Sequence, residues 1–369
     1  VLILAVAALT AGGLVYLILT AISARRYLSP PIASGAPMPV SILKPLAGAD
    51  LGLEENLRSF FTQEYAAGFE ILCATRTAAD PAVPIVRKLQ AEFPAVPSRL
   101  LFVGEPPYAN AKVWSLQHLV EAAQYDLLAM ADSDIRVTAQ FLAAVATEFS
   151  DPRVDLATCP YRAIGGPSLW SRLEAAGLNT EFIGGLLAAR MLEGVRFAVG
   201  PTIVARRRVL EAIGGFEKLS PYLAEDFVMG QRAADLGFGV ILSRYVVEHR
   251  IGSEDLRTNF AHRLRWNRST RRSRPAGYIG QVFTNPLPWA AMLAFTGWWP
   301  LGLTTIVARL AVGRYLARTV LGGGWSWLTV PQDFLSLGFW LAGFFGNTIV
   351  WRGRVYRLHA DGTFTLVKP

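Results

Sequence analysis

Residues 127–134 read Leu-Leu-Ala-Met-Ala-Asp-Ser-Asp, an apolar run that stops at two carboxylates one residue apart. In extended backbone, side chains two residues apart share a face, so Asp132 and Asp134 point the same way. Carboxylate oxygens at the end of a buried strand suit a hard divalent cation, which can neutralise a bound diphosphate. An Asp-x-Asp triplet is also common in turns and solvated loops, so its company matters. Asp80 lies upstream, Glu225-Asp226 downstream, and His262-Arg263-Leu264-Arg265-Trp266 follows.

Each of these has a plain reading and a chemical one. Asp80 precedes Pro81, as a helix cap followed by proline would; placed after a strand, its carboxylate can also accept hydrogen bonds from a nucleotide base or ribose. Lys112, in Asn110-Ala-Lys112, is either a solvated helix residue or a point charge for a diphosphate. Glu225 and Asp226 open a helical stretch, where the macrodipole favours acids. A buried Asp226 beside another negative charge would have its pKa raised toward that of a general base for an acceptor hydroxyl, with Glu225 as a supporting neighbour.

Arg265-Trp266 reads as an aromatic and basic pair at a membrane surface. Near a cleft, Arg265 would instead clamp a departing nucleoside diphosphate and Trp266 would wall the acceptor. His249 is a further metal-ligand candidate, set against the commoner structural fate of a lone histidine. No G-x-G-x-x-G, G-x-x-x-x-G-K-[ST] or H-E-x-x-H motif occurs, which removes the main support for a dinucleotide, P-loop or zincin enzyme.

The elements that must hold these residues alternate. Strands are expected at 40–44, 69–75, 99–103, 127–131 and 155–159, and helices at 54–62, 81–93 and 111–124. Short, continuous apolar strands between amphipathic helices predict a mostly parallel sheet covered on both faces, an α/β domain. Ligands of such sheets sit beyond the carboxyl ends of the strands, where Asp132 and Asp134 fall.

Hydrophobic residues make up 52% of the 369 and charged ones 17%, too apolar for an ordinary soluble enzyme. The excess is local. Residues 1–24 carry no charge, and as a helix at ~1.5 Å per residue they would span about 36 Å, longer than the ~7–15-residue core of a signal peptide allows. The expected organisation is an N-terminal anchor at 1–24, a linker at 25–38, a catalytic domain at 39–255 and a basic interfacial segment at 256–281. A C-terminal transmembrane region at 282–351 and a cytoplasmic tail at 352–369 complete it. Two C-terminal spans are expected, at 282–308 and 334–350; a third at 301–321 would place Arg309, Arg314 and Arg318 in hydrocarbon, which is costly.

The net charge of +8 gathers beside apolar segments, at Arg25-Arg26 and in the arginine run 257–274. That pattern fits a membrane surface with a cytoplasmic catalytic domain better than nucleic acid. Cys73 and Cys159 are the two cysteines, too few for a disulfide framework.

The residues together resemble the family 21 and family 2 glycosyltransferases of the ceramide glucosyltransferase type. Ser41-Ile-Leu-Lys-Pro-Leu46, Ala79-Asp-Pro-Ala82, Asp132-Ser-Asp-Ile-Arg-Val137 and Leu223-Ala-Glu-Asp226 carry the resemblance, with Gly200-Pro201, 210–216, Arg265-Trp266 and 351–358 adding to it. It implies a GT-A nucleotide-diphospho-sugar transferase domain with transmembrane helices on the inner membrane. It also implies a UDP-sugar donor bound by Pro45, Asp80, Lys112, Asp132, Arg265 and Trp266. Mg²⁺ or Mn²⁺ would sit on Asp132 and Asp134, Asp226 would be the catalytic base, and the acceptor would be a ceramide-like lipid. His262 stands where the family pattern has Gln or Arg. Hopanoid and polysaccharide glycosyltransferases share much of the pattern, and a nucleotide-sugar-binding scaffold is the non-enzymatic alternative; retention of the acidic positions argues against the scaffold.

Overall fold

The computed structural model describes residues 1–29, 38–252, 255–351 and 353–368. A long helix α1 (Leu2–Tyr27) leads into β1 (Val40–Pro45), α2 (Leu53–Phe61), β2 (Phe69–Thr75), α3 (Ala82–Glu92), β3 (Ser98–Phe102), α4 (Ala111–Ala122) and β4 (Leu127–Ala131). Then follow β5 (Ile135–Arg136), α5 (Phe141–Glu148), β6 (Leu156–Thr158), β7 (Tyr161–Ile164), α6 (Leu169–Gly177) and α7 (Ile183–Glu193), the two helices joined by a π-helical turn at 178–182. Next come β8 (Thr202–Arg206), α8 (Arg207–Ala212), α9 (Glu225–Asp235), β9 (Val240–Leu242) and β10 (Val247–Arg250). The C-terminal part holds α10 (Leu256–Ser273), α11 (Pro275–Gly280), α12 (Leu287–Ala294), α13 (Trp299–Tyr315), α14 (Thr329–Gly343), β11 (Thr348–Trp351), β12 (Arg354–Leu358) and β13 (Phe364–Lys368).

The main sheet runs β3-β2-β1-β4-β8-β6-β9. Every pairing is parallel except the two made by β8. Side-chain alternation splits each central strand between two cores. Ile42, Ile71 and Ala129 face one, Leu43, Leu72 and Leu128 the other, which is why the strands read as unbroken apolar runs. The expected strands and helices through residue 131 are present within one or two residues. The antiparallel β8, only five residues long after Gly200-Pro201, was not anticipated. A second sheet, β5-β10-β7, pairs Ile135 with His249 beyond the end of β4.

The C-terminal half differs from expectation. Among the described residues one helix, α1, is long and apolar enough to cross a bilayer. The apolar run 282–308 is broken: Pro286 and Pro288 start α12, the chain leaves helix after Ala294, and Pro300 starts α13. At ~1.5 Å per residue, α12 and α14 reach about 12 and 22 Å, short of a ~30 Å hydrocarbon core, whereas α13 runs straight on into a second π-helical turn at Leu316–Val320. The run 334–350 ends as strand β11, because Thr-Ile-Val-Trp alternates and packs in a three-stranded sheet with β12 and β13. The supposed tail therefore folds. Residues 25–27 continue α1, and 30–37 of the expected linker lie outside the described residues, as does Arg352.

The arginine-rich segment is a helix, α10, capped by the Asp255 side chain accepting from Thr258 N at 2.9 Å. Its charges are engaged by protein. Arg263 is buried over the Phe339 ring at 4.1 Å and donates to Gln332 at 3.2 Å. Arg268 and Arg271 donate to the carbonyls of Phe345 and Gly346, at 3.0 and 2.9 Å, just past the end of α14; such carbonyls have no helical partner of their own.

Arg309, foreseen as a cost in hydrocarbon, is 1% exposed and held in a two-pronged pair by Asp333 at 2.9 and 2.6 Å, with Thr180 at 3.1 Å. The pair joins α13 to α14 and to the π-helical turn. Removing one partner of a buried pair strands the other charge, at about 3–5 kcal/mol, whereas replacing both by apolar residues is often neutral. Asp333→Ala should therefore destabilise the protein by about that much, and Arg309→Met with Asp333→Leu should recover most of it, as read by unfolding of purified protein. Equal stability of Asp333→Ala and the unaltered chain would contradict the structural role of the pair.

Candidate active site

β4 ends at Ala131, and the next residues turn sharply: Asp132 N–H donates to the Pro201 carbonyl at 3.1 Å and Ile135 N–H to the Asp132 carbonyl at 3.3 Å. The turn is held from below by Lys44, a fully buried lysine that ends the apolar part of β1. Its ammonium donates to the Asp132 carbonyl at 2.5 Å and lies 4.1 Å from the centroid of the Phe60 ring. Burial pushes this ammonium down to about 8, against the pull of Asp132 and Asp134. Sequence reasoning passed over Lys44 as a site residue, although a lysine closing an apolar strand was the available signal. Asp50 was also missed; it accepts from Ser133 Oγ at 2.7 Å.

A narrow cavity of about 10 Å³, room for about one water, lies at the strand ends and is lined by Pro45, Lys112, Met130, Asp132, Gly200, Glu225, Asp226 and Met229, among others. Lys112, on the first turn of α4, pairs with Asp132 Oδ1 at 2.7 Å and Glu225 Oε1 at 3.4 Å. Burial pulls the Lys112 ammonium down, but Asp132, Glu225 and Asp226 hold it well above the ordinary lysine value. Asn110 caps α4 by accepting from Val113 N and also donates to Glu225 Oε2 at 3.2 Å and the Tyr222 carbonyl at 3.0 Å. Glu225 is thus a buried clamp between α4 and α9.

Asp226 lines the cavity beside Asp132 and Glu225, and the ion pairs of Lys112 go to those other two acids. Burial, then the charge of Glu225, pushes Asp226 up to about 7, against the opposing pull of Lys112. Gly200 permits this packing: a Cβ there would lie 2.9 Å from Asp226 Oδ2 and 3.4 Å from Lys112 Nζ.

Asp134 meets His249, brought alongside by the β5–β10 pairing, with Nε2 3.2 Å from Oδ2. Burial opposes ionisation of both, yet the contact holds Asp134 below and His249 above their ordinary values. Asp134 Oδ1 and His249 Nδ1 are buried without a hydrogen-bond partner. An orphaned carboxylate oxygen next to Asp132 suits a divalent cation. Among the described residues no group of three or more acidic, His or Cys side chains is gathered closely enough to hold a metal ion by itself.

Asp80, Asp134, Arg265 and Trp266 are not among the residues lining this cavity. Asp80 accepts from Ala82 N at 2.9 Å, the cap-like role, and from Gly48 N at 3.0 Å, which fixes the loop after β1. Trp266 packs between Phe182 and His262, with centroids 6.4 and 4.8 Å away, and His262 Nδ1 is 2.9 Å from Glu174 Oε1. Arg265 lies over the Trp351 ring at 5.7 Å.

Lys112 carries a testable consequence. A carboxyl whose folded pKa is raised, as at Asp226, costs stability as pH rises from its unfolded value of ~3.9 to its folded value, and removing Lys112 raises it further. Lys112→Met should therefore destabilise the protein, by about 1–3 kcal/mol after discounting for partial exposure, and the deficit should be larger at pH 8 than at pH 5 in denaturant titrations. A deficit that shrinks with rising pH would contradict this account of the cluster.

Residues 4–364 match the family described as Glycosyl transferase family 21. Ceramide glucosyltransferase 1 of Caenorhabditis elegans is 28% identical over 229 residues, 62% of this chain and 48% of that protein. Ceramide glucosyltransferase 3 of the same organism is 27% identical over 228 residues, 62% and 49% respectively. The chain spans about half the length of the curated relatives it matches. Among solved structures, the mannosyltransferase PcManGT from Pyrobaculum calidifontis, in complex with GDP-Man and Mn²⁺, aligns with a TM-score of 0.52 and 19% identity, covering 93% of this chain and 97% of that one. That likeness shows the GT-A fold, with its mostly parallel sheet flanked by helices. By the family match across nearly its whole length, the chain belongs to glycosyl transferase family 21.

Proposed function

We propose that this protein transfers a hexose, glucose in the first instance, from a UDP-sugar to the primary hydroxyl of a ceramide-like lipid, with inversion. The observation that carries the reading is the cavity at the strand ends, where Asp226 is held near 7 beside a lysine-bridged acid cluster. A carboxylate with a pKa near the working pH is suited to take a proton from an attacking hydroxyl. A single in-line displacement needs that one base and no protein nucleophile.

Lys112 and the turn held by Lys44 would orient the diphosphate, and Pro45 would border it. Asp80 would act through the loop it fixes at Gly48, on the nucleoside side. Asp132 and Asp134, with His249 beside them, would hold Mg²⁺ or Mn²⁺, which when bound would supply charge neutralisation for the leaving diphosphate. Arg265 would serve the same leaving group and Trp266 the acceptor.

The lipid acceptor and a cytoplasmic-face location rest on the outer surface. Leu4, Val15, Ile18 and Ile22 are exposed along α1, which packs on α12 and α13, where Met292, Phe295, Leu303 and Val307 are exposed in turn. Apolar surface on this scale calls for a cover. Arg25 and Arg26 close α1 on the side of the catalytic domain, as the positive-inside rule requires of a cytoplasmic end.

Purified protein given UDP-[¹⁴C]glucose and ceramide-bearing micelles should yield a monoglycosylated, chloroform-extractable product. A water-soluble labelled polymer with no labelled lipid would contradict the proposal, and labelling of a hopanoid in place of ceramide would correct the acceptor alone. EDTA should abolish the transfer and Mg²⁺ or Mn²⁺ restore it. Asp226→Asn should lower kcat by about 10²–10⁴-fold while UDP binding persists. Normal turnover in Asp226→Asn with none in Glu225→Gln would move the base to Glu225.

A further inference from the structure

Residues 348–368 form a small three-stranded sheet whose core is not self-sufficient. Its buried apolar cluster is Ile349, Tyr356, Leu358 and Phe364 together with Leu223, and Leu223 belongs to the segment that delivers Glu225 and Asp226. Backbone bonding reinforces the docking. Phe364 N–H donates to the Pro221 carbonyl at 3.0 Å, and Tyr222 forms an antiparallel bridge with Thr363. The loop that ends at the cavity is thus tied to the start of β13 by one isolated bridge and one backbone hydrogen bond.

The opposite edge of the sheet, β11, is seated on α10. Trp351 packs with Tyr356 and Phe364, centroids 6.2 and 6.1 Å away, and lies under the Arg265 guanidinium. Arg271 bonds Gly346 O at 2.9 Å and Asn347 Oδ1 at 2.8 Å; Arg272 bonds the same Asn347 oxygen at 2.5 Å. Gly346 has φ +72° and would place a Cβ 2.9 Å from Arg268 Nη2, so the root of the sheet is closely matched to the arginine row. Asp226 and Arg265 reside on separate helices, α9 and α10, and the sheet touches the approach to both.

We propose that the C-terminal sheet is the positioning element of the active site: Phe364, through Leu223 and Tyr222, sets the Asp226 loop, and Trp351 sets Arg265. The inference rests on the roles proposed above for Asp226 and Arg265. Neither Phe364 nor Trp351 touches the reacting atoms in this scheme. Small misplacements of reacting groups cost turnover steeply, about 10²-fold for ~1 Å, so a sheet that holds two such groups in register would govern kcat more than donor affinity.

The test uses the full chain carrying Phe364→Ala. Hydrogen–deuterium exchange, which needs no substrate, should show faster exchange in the peptide 219–229 and no change in 127–136. With UDP-glucose and ceramide micelles, kcat should fall about 10–100-fold while KM for UDP-glucose stays within about twofold. An antiparallel bridge holds its Cα atoms ~4.5–5.5 Å apart, within disulfide range. Tyr222→Cys with Thr363→Cys, added to Phe364→Ala and oxidised, should restore kcat, and reduction should remove it again.

Should Phe364→Ala not fold, Leu223→Ala gives the same comparison from the other side of the contact, and Trp351→Ala tests the Arg265 arm, with its loss in kcat recovered by Trp351→Phe. Unchanged exchange at 219–229, or kcat and donor affinity falling together with the folded fraction, would overturn the proposal. Full turnover in Asp226→Asn would remove the base assignment and the positioning role with it. Impaired Asp226→Asn beside unimpaired Phe364→Ala would remove the positioning role alone.

Discussion

Carboxylates gathered beyond the end of a sheet repel one another, and Lys112 is the charge that lets them coexist. Two like charges ~4 Å apart cost about 4 kcal/mol at an effective dielectric of ~20, several times the net value of a hydrogen bond. Lys112 meets this by bridging Asp132 to Glu225, and Asp134 finds its own counter-charge in His249. Asp226, left with the weaker share of positive charge, is the group whose proton affinity rises. The division of labour between neighbouring acids follows from this arithmetic: Glu225 is bonded on both oxygens by Lys112 and Asn110, and Asp226 remains available to the cavity.

The fold serves that cluster from several directions. The parallel strands β1 and β4 bring Lys44 and Asp132 side by side, α4 supplies Lys112, and the reversal at β8 brings Gly200 against Asp226. The C-terminal sheet bonds to the loop before α9, so it lies on the same side of any membrane as the catalytic domain. Whatever passes into hydrocarbon through α12, α13 and α14 must therefore return. The short helices α12 and α14 and the buried Arg309–Asp333 pair are both features that the inside of a helical bundle tolerates.

Legibility in the sequence followed the range of the interactions involved. The β/α alternation through Ala131 was readable because apolar runs and caps are local signals. The Asp-x-Asp turn and the Glu225-Asp226 helix start were readable for the same reason. The bonding of Lys112 to Glu225 crosses more than a hundred residues of chain, and no spacing rule reveals it. His249 could not be ranked above an ordinary histidine until β10 was seen to pair with β5 beside Asp134. In the C-terminal half hydropathy alone misplaced one element, the strand β11. Thr348 to Trp351 is apolar enough for a span yet alternates as a strand, and Arg309 looked prohibitive until Asp333 was found opposite it.

The central claim is that Asp226 is a base whose proton affinity has been raised to neutrality by burial and by Glu225. The pH dependence of kcat/KM for glucose transfer from UDP-glucose to ceramide tests it most directly, since that ratio reports the free enzyme's essential groups. The account predicts a single-proton acid limb, with activity falling tenfold per pH unit below a midpoint near 7. A flat profile from pH 5 to 8 would contradict it, because a carboxylate of ordinary pKa, or no base at all, would then suffice.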